Sequence, residues 1–165
     1  GYHMLSDKLL FELQLYIERH QNQSAVLLYE SVPYYQGVAD TELEEFVKRK
    51  RKPSFQQLLF QFIDAKGEHD SAVYKKVGLD RRHFSKIRSN PDYHPGKNTV
   101  LALAIALELN KEETSQLLAA AGYSLSESDT FDLVIQFCLE KKIYNLDTIN
   151  QALDYFSLKP LAGVN

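Results

Sequence analysis

Apolar residues recur at three- and four-residue spacing along most of the chain. Leu9, Leu10, Leu13, Tyr16 and Ile17 follow Ser6, a short polar residue placed to cap, and predict a helix ending about His20 to Asn22. The period then breaks. "SAVLLYESVPYYQGV", Ser24 to Val38, carries Pro33 and Gly37 and predicts an extended segment or loop. "TELEEFVKRKRKP", Thr41 to Pro53, predicts a short helix running into a basic connection. Ser54 is placed to cap a helix bearing Phe55, Leu58, Leu59, Phe62 and Ile63, with Gly67 just beyond its end. Asp70 opens a short helix with Val73 and Val77, and Gly78 supplies a left-handed turn. Asp80 caps the next helix, in which Leu79, Phe84 and Ile87 share a side. "NPDYHPGK", Asn90 to Lys97, is a loop. Asn98 is expected to cap an apolar helix through Leu109, and Asn110 with Glu113 to form a capping box for a helix to Ala121, ended by Gly122. Two more helices are expected, Ser128 to Lys142 and Leu146 to Phe156, the second opened by Asn145, with Gly163 to Asn165 frayed.

Composition narrows the class. The chain has 165 residues, 44% hydrophobic and 25% charged, enough to bury a core. One cysteine, Cys138, excludes an internal disulfide and fits a reducing, cytoplasmic setting. No run reaches the roughly 20 apolar residues that span a bilayer, so no membrane partner is expected. The opening Gly1-Tyr2-His3 ahead of Met4 reads as a cloning remnant.

The net charge of −3 conceals segregation: residues 1–47 carry −6, residues 98–165 carry −5, and residues 48–97 carry +8 from 13 Lys or Arg against five Asp or Glu. A basic middle suits a polyanion, whose counterions clustered Lys and Arg release. Acidic flanks folded over that middle would instead neutralise it. Lys48, Arg49, Lys50, Arg51 and Lys52 form an unbroken run that reads as a nucleic-acid patch or as a solvated helix end.

The order of helix, short helix, glycine turn, basic helix and two more helices resembles the five-helix domain of lambda repressor and Cro-type regulators, over about Pro53 to Ala121. "VYKKVGLDRRHFSKIRSN" places Val73, Val77, Gly78, Leu79, Asp80, Phe84, Ser85 and Ile87 in that family's register. The resemblance implies that Arg81, Arg82 and His83 face the DNA major groove, with Ser85, Lys86 and Arg88 farther along. Arg suits guanine edges and Lys suits phosphate. It also implies dimers on paired half-sites, with apolar surface on the C-terminal helices as a dimerisation face. Three positions depart from the family. Asp70 stands where a phosphate-contacting Gln is common, Arg88 replaces a frequent Glu, and Asn90 stands for a Gly in a left-handed position. A second resemblance, over Ser54 to Leu161, is to a module attached C-terminally to bacterial macrodomain proteins that bind ADP-ribose; it implies association with ADP-ribose signalling, stress or phage defence. The acidic residues 4–52 are too few for a macrodomain and lack its glycine-rich phosphate loops.

Catalytic signatures are missing: there is no GxxxxGK[ST], GxGxxG or HExxH. Cys138 lies in "FDLVIQFCLEKK" and reads as a buried thiol, and His69, His83 and His94 lack metal-ligand spacing. Tyr34, Tyr35 and Tyr93 are the aromatics best placed for an exposed contact, whereas Phe55 and Phe62 read as core.

The sequence therefore predicts an all-α protein without enzymatic activity, metal or cofactor. It comprises an N-terminal extension (4–52), a lambda-repressor-like helix-turn-helix domain (53–122) and a C-terminal two-helix extension (123–162). The expected role is regulatory DNA binding through Arg81, Arg82, His83, Ser85, Lys86 and Arg88, with Lys48 to Lys52 adding backbone affinity. The alternative is a protein-interaction adaptor or sensor in a bacterial ADP-ribose, stress or phage-defence system.

Overall fold

The computed structural model describes residues 6–24 and 40–161, with side chains described from 6–20 and 40–161. Among the described residues there are nine α-helices and no strand: α1 Asp7–Ser24, α2 Asp40–Lys50, α3 Phe55–Lys66, α4 Asp70–Lys76, α5 Arg81–Ser89, α6 Lys97–Ala106, α7 Lys111–Ala120, α8 Thr130–Glu140 and α9 Leu146–Tyr155. None is long and apolar enough to cross a membrane. The loop expected over residues 25–38 and the fraying expected at 163–165 lie outside the described residues, while Ser24 itself ends α1.

Short polar side chains start the helices by satisfying amides that have no partner in the first turn. Ser6 Oγ accepts from the Leu9 amide at 3.2 Å. Ser54 with Gln57, and Asn110 with Glu113, form reciprocal capping boxes. Asp80 accepts from the His83 amide and Asn145 from the Thr148 amide. Asn98 does not cap: α6 begins at Lys97, two residues earlier than expected, behind Gly96, so Asn98 already has helical backbone. The apolar helix also stops short of Leu109. Glu108 turns left-handed (φ 53°), and the Leu109 amide closes the end on the Ala104 carbonyl at 3.0 Å. Lys142 and Ser157 make the same turn (φ 56° and 57°) after α8 and α9, which shortens α8 relative to the expected Ser128 to Lys142.

A single core draws on α1, α3 to α9 and Leu161. α6 is its axis, buried from Thr99 to Ala106 and packed on α4 and α7. α7 lies against α3 and α8, and α8 lies against α9. α1 crosses the sequence to pack on α8, with Leu13 and Ile17 buried and the Tyr16 ring edge-on to Phe137 at 5.7 Å. Lys141 Nζ meets Glu12 Oε2 at 2.7 Å, and this pairing holds the Glu12 carboxyl below its usual range. Asp132, 1% exposed, accepts from Lys97 Nζ and from the Ser126 amide, each at 2.7 Å, and so ties the start of α6 to the start of α8.

Among the described residues, α1, with a net charge of −1, thus packs against α8 in the acidic C-terminal part, not over the basic middle. Among the described residues, Lys97 is the one cation of residues 48–97 with an ion pair to either flank; Lys76 and Arg88 pair with Glu68 and Asp70 inside the middle.

Candidate nucleic-acid interface

α4 and α5 are joined by a turn whose backbone needs Gly78 (φ 70°); the Leu79 amide then returns to the Tyr74 carbonyl at 2.9 Å. Val73, Val77, Leu79, Phe84 and Ile87 are all buried, which fixes the rotation of α5 about its axis. Phe84 packs on Phe60 and Tyr74, with ring centroids 6.0 and 5.5 Å away. At about 100° per residue, the face opposite Phe84 and Ile87 carries Arg82, Ser85, Lys86 and Ser89, with Arg81 at its edge on the Arg88 side. All five are exposed, and none of the three cations makes an ion pair among the described residues.

The two edges of this face are tied down. Arg88 donates from Nε to Asp70 Oδ2 at 2.9 Å, its Nη2 lies 2.6 Å from the same oxygen, and its guanidinium sits 4.4 Å from the Phe60 ring centre. The two family departures at Asp70 and Arg88 are therefore partners. His83, on the other edge, is half-buried, with Nε2 2.7 Å from the Tyr93 hydroxyl. Tyr93 is accordingly half-buried rather than an exposed stacking platform, while Tyr34 and Tyr35 lie outside the described residues. Asn90 has extended backbone (φ −116°, ψ 100°) instead of the expected left-handed one, and its side chain accepts from the Asp92 amide at 3.0 Å.

The basic run is exposed. Lys48, Arg49 and Lys50 close α2, while Arg51 and Lys52 lead into α3. Among the described residues, no hydrogen bond or ion pair joins this run to α5. The link is indirect, through Gln56. Its side-chain amide donates to the Ile87 carbonyl at 3.3 Å and to the Arg88 carbonyl, satisfying acceptors at the end of α5 from the first turn of α3. Nothing in the local pattern marks Gln56, whose partners lie more than 30 residues away.

Beside α5, an open groove of about 580 Å³ runs between α4 and the end of α3. Asp64, Glu68 and Asp70 line it opposite Arg81 and Arg88, so the α4 side of the face is acidic and the α5 side basic. Cys138 is buried in α8, and burial pushes its thiol up to about 12, far from a nucleophile's range. Among the described residues no cluster of three His, Cys, Asp or Glu could hold a metal ion. Compared with known proteins, the chain matches no family model, no curated protein and no solved structure.

Proposed function

We propose that α3 to α7 form a lambda-repressor-like helix-turn-helix domain, and that the protein is a non-enzymatic cytoplasmic regulator binding duplex nucleic acid through α5. One observation carries this reading: Arg81, Arg82 and Lys86 share an exposed face with Ser85, and none makes an ion pair among the described residues. Side chains in that state gain from phosphates and from guanine edges. Lys48 to Lys52 add backbone affinity. Arg88 contributes position more than contact, because Asp70 and Phe60 already hold it.

The test is selection from a pool of random duplexes at low and at physiological salt, with Arg81→Glu plus Arg82→Glu alongside. The wild type is expected to enrich a sequence, with binding that falls steeply as salt rises, and the variant to enrich none. Equal retention by both proteins would overturn the reading.

The open groove beside α5, lined by both acidic and basic side chains, favours a second reading, an adaptor for a protein partner in an ADP-ribose or defence system. Capture by that route would proceed without nucleic acid and would survive the Arg82 reversal.

A further inference from the structure

α2 differs from the other helices in burying no side chain. Leu43, Phe46 and Val47 are 52%, 48% and 52% exposed, and their spacing sets them on one side of the helix. An isolated helix of 11 residues carrying such a stripe is marginal until something covers it.

The charges around the stripe indicate what fits. Asp40, Glu42, Glu44 and Glu45 fill the first half of α2, and Lys48, Arg49 and Lys50 fill the last turn. None of these side chains makes an ion pair among the described residues. At about 100° per residue, Glu42 and Arg49 border the stripe on one side, and Glu44 and Lys48 border it on the other. When two such helices face each other in antiparallel, each border meets itself in reverse order. Leu43 then seats between Phe46 and Val47 of the other copy. Glu42 meets Arg49, Glu44 meets Lys48, and Asp40 meets Lys50 at both ends. A parallel pair would set acid against acid at one end and base against base at the other.

We propose that α2 is a self-association helix, joining two copies of this chain through an antiparallel α2 pair with two-fold symmetry. Two helices of 11 residues bury less than the roughly 1,200 Å² of a standard interface, so the dimer is a reversible one. Its use rests on the proposed function together with the paired half-sites that the lambda-repressor resemblance implies. Its existence is tested without nucleic acid.

The experiment is sedimentation equilibrium of the full chain over a range reaching about 200 µM, far enough to populate a micromolar dimer. The wild type is expected to show a monomer–dimer equilibrium. Glu42→Arg with Glu44→Lys, and separately Lys48→Glu with Arg49→Glu, set like charges at each border and are expected to weaken the dimer at least about tenfold. An equal mixture of the two variants restores complementary borders and is expected to form a heterodimer. Within one copy α2 buries no side chain, so at dilutions where the chain is monomeric both variants keep the wild-type thermal unfolding curve, which is measured alongside. A wild type that stays monomeric, a reversal variant that dimerises like the wild type, or a mixture that stays monomeric would each overturn the proposal. A dimer that ignores nucleic acid would overturn the proposed function alone, and a monomer that binds it would overturn this inference alone.

Discussion

Asp70 and Arg88 each look unfavourable for a nucleic-acid surface until they are seen together. The carboxylate would repel phosphate, but the guanidinium 2.6 Å away offsets its charge and is itself anchored on Phe60. Both side chains are partly exposed, Arg88 at 58% and Asp70 at 32%, so solvent screens the pair and its worth is under about 1 kcal/mol. Asp70→Asn should therefore barely shift a urea transition while tightening duplex binding, because it removes a negative charge and releases Arg88. Weaker duplex binding would show that the carboxylate serves the interface. Asp132 is the opposite case. Its carboxylate is buried with Lys97, so Asp132→Ala leaves a half-buried ammonium without its partner and should cost about 3 kcal/mol, read from the same transition. Cys138 stays a thiol in the fold: its titration rises from the usual 9.0 to about 12. Its contribution to stability is thus complete below pH 9 and is lost as pH rises toward 12. At pH 8 a thiol reagent should modify it in urea and not in native buffer.

Helix starts were largely legible in the sequence, and so were the ends turned by Gly67, Gly78 and Gly122; the ends turned by other residues were not, for a physical reason. Ser54, Asp80, Asn110 and Asn145 cap through bonds to amides three residues on, a relation the sequence displays. The end of α6 depends on Glu108 in a left-handed conformation, which no local signal announces; nor does any announce Lys142 or Ser157. A side chain there costs about 1 kcal/mol relative to glycine. Glu108→Gly and Lys142→Gly should each raise the melting temperature by a few degrees, and a drop would mean that the side chain contributes more than its strain costs. The outward face of α5 could likewise be read from periodicity, since Phe84 and Ile87 fix the helix rotation. The tethers of Arg88 and His83 could not, because Phe60, Asp70 and Tyr93 reach them through tertiary packing.

Among the described residues, α1 docks on α8 and does not cover the basic middle. Linear order alone left this choice open; Leu13, Tyr16 and Ile17 decide it by packing on the last third of the chain. On α5, Arg88 is spent on its pair with Asp70, while Arg81, Arg82 and Lys86 make no ion pair among the described residues. Binding that uses those cations should weaken steeply with salt, and Lys86→Ala should reduce the slope of log affinity against log salt by about one. The most direct check of the central claim is the shift of backbone amide resonances in the full chain as a selected duplex, or failing selection a random one, is added. The proposed function predicts that the largest changes fall on Arg81, Arg82, Ser85, Lys86 and Ser89, with the Phe84 and Ile87 side chains still packed. Changes confined to other surfaces, or none at saturating duplex, would contradict it and leave α5 as a scaffold for a protein partner.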